Sequence, residues 1–491
     1  MKMKYIINIA VAITFLLLIG NKLSAQDSRV LYFMRNNPYS TFANPAQNIN
    51  CKLYVGIPFS SNINLSIFNS AIHYNKLIKV TASGKTVTVD NFIETLKRRN
   101  WLNLSFNTEL LGFGYRVDDL FINVSHKIRL EGYFLYPDVL FKLPIKGNMA
   151  YIEKPAEFKH LSLNGTLYHE LSLGFQYSIN ESLLIGVRPK LLMGLANVNT
   201  KKSYLKFTTD PETYDIAIQE KLLVNTSLIF NPENPNALDI TSNLFKNNGF
   251  AIDLGASYDF NEYFGASFSI VDLGFISWKT NTQNMASKVE NRGIYYQDGG
   301  FLFSGINVEN ASNLMSDEGD FGSTLGNMQD TLLAYFPFHQ TSKPYMTATY
   351  AKLLLSGYYN INKNNSLSLL FRGDIVSKTM LPSFTFAYSG SFFNFLDVYA
   401  TYSIIGKTYA NVGIGLGLRA GPIHMYLLTD NIIAAFAPLN SATMNVQMGM
   451  LVHITKNKNK KDSSDNKKKS KVDKKKTNKD NNELILETPN Q

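Results

Sequence analysis

A period of two limits what this chain can fold into more than any other feature. In "LSLGFQYSINESLLIGVRPKLLMGL", residues 171–195, two alternating runs flank the polar turn Asn180-Glu181-Ser182. Ile185, Val187, Leu191 and Met193 fall on one face of an extended strand, and Arg188 and Lys190 fall on the other. Leu102, Leu104, Phe106, Thr108 and Leu110 likewise oppose Asn103, Ser105, Asn107 and Glu109. Leu120, Ile122, Val124, Ile128 and Leu130, broken only by His126, oppose Asn123, Ser125, Lys127, Arg129 and Glu131. The pattern returns at Ile252 to Asp259, at Ser366 to Ile375 and from Met444 to Ile454. Segments of about ten alternating residues between turn residues are the signature of a transmembrane β-barrel.

The fold class expected is therefore all-β, a transmembrane antiparallel barrel. Beyond the N-terminal leader no apolar run approaches the ~20 residues that a helix needs to cross hydrocarbon. Hydrocarbon offers no partner to a free N–H or C=O, so only helices and closed sheets can span it. The connections support the assignment. Tight turns at 116–119, 180–182, 261–262, 362–365, 394 and 421–422 fall on the side of the chain ends, and long loops at 135–165, 199–249, 279–345 and 431–441 fall on the other. A short connection at Gly406-Lys407 is the exception. About 14 strands follow if 199–249 is one loop, and about 16 if Tyr204–Phe207 and Leu222–Phe230 form a further spanning hairpin. Tyr115, Tyr133, Tyr177, Tyr258, Tyr263, Tyr358, Tyr359, Tyr402 and Tyr409, near strand ends, are expected in interfacial girdles.

The two ends read differently from the body. Lys2 and Lys4, an apolar run and then Leu23-Ser24-Ala25 have the order of a cleaved signal peptide, residues 1–25. The net charge of +10 is concentrated in a tail, where residues 456–480 hold twelve lysines and four aspartates. That leaves the body near neutrality, so the high charge is no argument for nucleic acid. The tail, 456–491, has too little apolar content to build a core and reads as disordered, either a solvated spacer or a contact for anionic headgroups. Cys51, the sole cysteine, can form no internal disulfide.

Residues 31–74 carry a Met-Arg stretch, then Asn44-Pro45-Ala46, then Cys51, Tyr54, Gly56 and Pro58 in a Cys-x-x-Tyr-x-Gly-x-Pro opening strand. In these residues, and in "DGGFLFSGINVEN" and "GLGLRAGPIHMYLLTDNI" at 298–310 and 415–432, the chain resembles an uncharacterised, domain-of-unknown-function family of Bacteroidota outer-membrane barrels. Asn44-Pro45-Ala46 is also similar to an element of the FadL and PorV superfamily of fatty-acid-transporter-like barrels. That resemblance implies a hatch-like segment, residues 26–50, plugging the lumen of a barrel at 51–455. It also implies an outer-membrane location with the C-terminal tail in the periplasm.

The residues supply no catalytic constellation. There is no Gly-x-Ser-x-Gly elbow, no phosphate-binding loop, and His169-Glu170 lacks a second histidine at metal-ligand spacing. Gly413, Gly415 and Gly417 share one strand face, which suits a smooth lumen wall or a close approach of the hatch. His424 and His453 could approach one another inside the barrel, but two imidazoles make a poor metal site. No enzyme, cofactor or metal is expected. The inward polar set is Lys127, Arg129, Glu131, Arg188, Lys190, Asp253, Asp259, Arg372, Asp374, Arg419 and Asp430. Carrying both signs, it reads either as self-pairing closure or as a weakly selective filter. The resemblance implies a barrel in outer-membrane lipid that binds or transports a small hydrophobic molecule through a plugged lumen. The alternative is a docking or secretion-accessory barrel whose long loops meet a secreted or surface protein.

Overall fold

The computed structural model describes residues 28–455 except 71–77, 82–83, 88–92, 153, 160, 213–215, 229, 232–233, 239–244, 288–299, 304–337, 377–378, 394, 406–407, 437–440 and 442. The expected signal peptide and lysine tail lie outside the described residues, as do the Gly406-Lys407 connection and most of "DGGFLFSGINVEN". Fourteen antiparallel strands close a barrel. They are β1 (Leu53–Gly56 and Ile63–Asn69), β2 (Asn100–Val117), β3 (Leu120–Tyr136), β4 (Ser162–Ser178), β5 (Leu183–Thr209), β6 (Asn248–Asp259) and β7 (Phe264–Trp278). The circuit continues with β8 (Tyr345–Ala348 and Lys352–Asn360), β9 (Asn365–Val376), β10 (Thr379–Phe392), β11 (Leu396–Ile405), β12 (Thr408–Ala420), β13 (Ile423–Thr429) and β14 (Thr443–Ile454). Pairing of Leu53 with Ile454 and of Ile63 with Met448 seals β1 to β14, leaving no open edge.

The barrel is polar inside and apolar outside. Leu111 is 60% exposed and Phe386 55%, whereas Glu109, Arg188 and Asp253 are 0%. Two bulges shift the alternation. In β2 the extra residue follows Glu109, and the outward set becomes Leu111, Phe113, Tyr115 and Val117. In β7 Val271 and Asp272 together oppose Asp253, so both point inward, and the outward set passes from Phe264 and Phe268 to Leu273 and Phe275. Tyr115, Tyr177, Tyr258, Tyr263, Tyr359, Tyr402 and Tyr409 are exposed on the outer surface. Tyr133 and Tyr358 correct the girdle expectation, since both meet partners within the lumen: Tyr133 packs on Tyr350, and Arg35 lies over the Tyr358 ring.

The sixteen-strand alternative does not hold. β5 has 27 residues, roughly 90 Å of chain at ~3.3 Å per residue, far more than the ~25 Å apolar band requires. Its lower part pairs with β6; beyond Asn197 it pairs instead with Ile216–Ser227, which also contacts Met285-Ala286 and Gly300–Phe303. The extra hairpin therefore continues the sheet beyond the barrel on the loop side. The turn side is compact, with two-residue connections at Asp118-Asp119 and Gly421-Pro422; Asp118 and Gly421 both adopt positive φ there.

Candidate functional site

Residues 28–50 fold within the barrel. Ser28 caps the short helix α1 (Arg29–Phe33) through its Oγ, 3.2 Å from the Val30 N–H. The same helix start is held by the wall: the Asp430 carboxylate accepts from Ser28 Oγ at 2.7 Å, from the Arg29 N–H at 2.9 Å and from the Val30 N–H at 3.2 Å. Burial, together with the neighbouring Arg372, pulls the Arg29 guanidinium below its usual range, and Asp430 and Asp374 oppose that shift. The helix buries Val30, Leu31, Tyr32 and Phe33 in one apolar cluster with Met34, Tyr39 and inward wall residues that include Val271, Leu354, Leu370, Ala387, Leu428 and Leu451. Each such large side chain contributes roughly 1.5–3 kcal/mol when fully buried. Gly415 of β12 leaves the space Val30 fills, for a Cβ there would stand 2.6 Å from Val30 Cγ1.

Further on, the Asn37 side chain caps a 3-10 turn at Pro38–Phe42, accepting from the Tyr39 N–H at 3.0 Å. Asn44 Oδ1 accepts from the Ala46 N–H at 2.9 Å, which fixes the Asn44-Pro45-Ala46 turn. This turn rests on Gly186 of β5 and Gly255 of β6, paired neighbours in the sheet; a Cβ on either would run into the Pro45 or Asn44 atoms. Gln176 Nε2 donates to the carbonyls of Pro45 at 3.2 Å and Gln47 at 2.6 Å. Arg188 donates to the Thr41 carbonyl at 2.7 Å and lies 4.4 Å over the Phe42 ring, and the Lys127 ammonium is 3.0 Å from the same ring centroid. The Tyr39 hydroxyl bonds Glu109, whose carboxylate also accepts from Ser61 and Ser125, each at 2.7 Å.

Beyond Phe42 and the Asn44-Pro45-Ala46 turn, on the side of the long loops, side chains of the wall meet one another. Asp272 of β7 accepts from Arg129 of β3 at 2.9 and 3.0 Å, Lys190 of β5 at 2.6 Å and Lys352 of β8 at 3.0 Å. Glu131 and Glu170 hold the far side of Arg129, and Asp253 receives Lys190 at 2.7 Å. Asp272 has φ 59°, a left-handed conformation that is rare for a non-glycine residue inside a strand. Above this hub, toward the long loops, sits an aromatic layer. Trp101 packs on Tyr133 and Tyr133 on Tyr350, both with ring centroids 5.8 Å apart, while Trp278 stacks on Tyr345 at 6.3 Å. The Tyr345 hydroxyl donates to Asn197 at 2.9 Å, joining β8 to β5.

A cavity of about 50 Å³ separates plug and hub, walled by Arg29, Phe42, Lys127, Asp272, Lys352 and Arg372 among others. It can hold a few waters, each needing roughly 10–15 Å³ by this measure, and is well short of the ~150 Å³ that accepts a benzene ring. The inward polar residues thus fall into separate groups. Lys127, Arg129, Glu131, Arg188, Lys190 and Asp253 surround the hub or the foot of the plug. Arg372, Asp374 and Asp430 surround Arg29, with Arg372 donating to Asp374 at 2.7 Å. Arg419 pairs at 2.8 Å with Asp397, which also accepts from Asn36 of the plug at 3.0 Å, and Asp259 bonds the Tyr358 hydroxyl beneath Arg35. His424 and His453 have ring centroids 5.7 Å apart, and His453 Nε2 lies 3.1 Å from the Asn50 carbonyl.

Sequence reasoning placed Glu109 on the polar face without singling it out, and it missed Asp272, Glu170, Lys352, Asp397 and Arg29. For Asp272 a signal existed, because the outward apolar residues change parity just beyond it, as they do beyond Glu109, and so betray a bulge. Glu170 shares the inward parity of Ser172 and Gln176 and could have been read from it.

A family model described as a family of unknown function (DUF5723) matches residues 45–430. No curated protein matches the chain. Among solved structures, the chain is similar to a Pseudomonas aeruginosa FadL homologue, with 9% identity, 88% of this chain and 99% of that chain covered, and a TM-score of 0.42. It is also similar to the Ralstonia pickettii toluene transporter TbuX, with 9% identity, 85% and 92% covered, and a TM-score of 0.37. A third is the translocator domain of the autotransporter NalP from Neisseria meningitidis, at 6% identity, 87% and 96% covered, and a TM-score of 0.32.

Proposed function

The chain belongs to the DUF5723 family of unknown function, and from that premise we propose that it is an outer-membrane barrel that binds or transports a small hydrophobic molecule through a plugged lumen. One observation carries the reading: residues 28–50 sit inside a closed barrel and bury the apolar side of α1 against the wall. A solute on the inward apolar residues would keep the wall covered and so offset part of the cost of exposing Val30, Leu31, Tyr32 and Phe33. The aromatic layer at the loop side supports reception of such a solute from outside. In this reading the Asn44-Pro45-Ala46 turn is the foot on which the hatch rests.

The test is isolation from outer membranes in mild detergent, followed by mass spectrometry of whatever small apolar compound accompanies the protein. The reading expects one compound at near-stoichiometric amount, and uptake that changes when residues 28–50 are deleted. Recovery of bulk membrane lipid only, with uptake unaltered, defeats it. A second reading, a docking barrel for a secreted or surface protein, is favoured by the hairpin of β5 and Ile216–Ser227 that projects beyond the barrel. It expects a copurifying polypeptide that disappears when that hairpin is shortened, with permeability unchanged.

A further inference from the structure

We propose that the cavity between plug and hub is a binding site for one small monovalent inorganic anion of the halide class, taken by the Lys127 ammonium. The inference goes beyond the conduit reading and does not depend on it. The cations lining this cavity are Arg29, Lys127, Arg129, Lys190, Lys352 and Arg372. All but Lys127 already meet a carboxylate. Arg129, Lys190 and Lys352 share Asp272, Arg29 is paired with Asp430, and Arg372 with Asp374. Lys127 is 6% exposed, and among the described residues its ammonium takes no hydrogen bond and no ion pair, resting instead on the Phe42 ring. A buried ammonium in that state lacks the partners that water would supply.

The carboxylates nearest Lys127 are engaged elsewhere. Glu170 lines the same cavity but accepts from Arg129 at 2.6 Å, and Glu109 accepts from the hydroxyls of Tyr39, Ser61 and Ser125. The lining also includes Asn62, whose Oδ1 accepts from Gln447 at 2.8 Å and from Tyr426 at 3.2 Å, so its amide N–H groups remain as further donors. One uncommitted ammonium and one amide suit a single negative charge, and Glu170 and Asp272 on the same wall weigh against a dianion. A cavity of about 50 Å³ takes a halide ion with about one or two waters and excludes a long-chain carboxylate. The approach lies on the turn side, where Arg35, Ser257, Ser267, Ser356 and Ser368 line a groove of about 20 Å³. Tyr32 borders both spaces, its hydroxyl 2.5 Å from Ser267 Oγ. Because Arg29 and Phe42 belong to the plug and Lys127 to the wall, a bound anion favours the plugged form.

The experiment uses the full chain, purified in dodecyl maltoside, with sodium chloride exchanged for sodium gluconate at constant ionic strength. Gluconate is too large for the cavity. Chloride is expected to raise the midpoint for loss of the heat-modifiable band along a saturating curve and to slow proteolysis within residues 28–50, with bromide acting alike. Lys127→Met is expected to raise the half-saturating chloride concentration about tenfold or more, and Lys127→Arg to hold it within about threefold of the wild-type value. Crystals grown in sodium bromide locate the site by anomalous scattering, with a peak expected against Lys127 Nζ. No peak in this cavity, equal midpoints in chloride and gluconate, or a chloride dependence that Lys127→Met leaves intact overturns the proposal. If Lys127→Met does not fold, the bromide map and the wild-type salt series decide the matter without it. A larger and saturable effect of phosphate than of chloride assigns the cavity to a dianion and overturns the halide class.

Discussion

The two halves of the lumen are closed by different physics. Around Asp272, wall side chains of β3, β5, β7 and β8 meet one another, charge against charge. Around α1 a separate piece of chain packs against the wall, apolar against apolar, with Asp430 holding its end. A buried ion network resists piecemeal change, because removing one partner strands the others without water. A packed helix start can detach as a unit once its few polar ties are released. The region around Asp272 is therefore expected to resist change and α1 to detach first.

The largest effect that could break this comparison is Asp272→Ala. It leaves Arg129, Lys190 and Lys352 facing one another and is expected to cost about 3–5 kcal/mol, read as a lower midpoint for loss of the heat-modifiable band. Release of the plug from an otherwise unaltered barrel would contradict the scaffold role. Next comes Gly255→Val, which drives a side chain into the Asn44-Pro45 turn; overpacking of this kind costs about 1–3 kcal/mol. Proteases should then cut within residues 28–50 while the barrel stays folded, and coincident loss of both would show that plug and wall are one unit.

Tyr39→Phe sharpens the comparison further, since it removes one donor from buried Glu109 and is expected to destabilise the plug by about 1–2 kcal/mol. The smallest expected change is Ser28→Ala, about 1 kcal/mol from a lost cap, visible as faster proteolysis at α1 alone. An effect of Ser28→Ala as large as that of Asp272→Ala would erase the distinction between the halves.

Much of the wall was legible because a strand in lipid must separate its faces residue by residue. Arg188 and Lys190 were assigned inward from their neighbours alone, and both are buried there. Tyr133 and Tyr358 were misread because an aromatic near a strand end suits either face, and only parity with Glu131 or Ser356 separates the cases. Asp272 was passed over because a strict period of two cannot survive an extra residue. Leu354, Leu370 and Leu451 were not distinguished as an inner stripe, since alternation assigns a face and does not say what that face will meet.

The order of faces, the absence of a helical crossing and the contrast between short turns and long loops come from the one-dimensional pattern, because the membrane imposes the same local rule on every strand. Which inward residues meet across the lumen is a different matter. Arg129 and Asp272 are brought together by closure of the barrel, and so are Ser28 and Asp430. Such pairs depend on strand tilt, register and bulges summed around the circuit, a quantity no single segment contains.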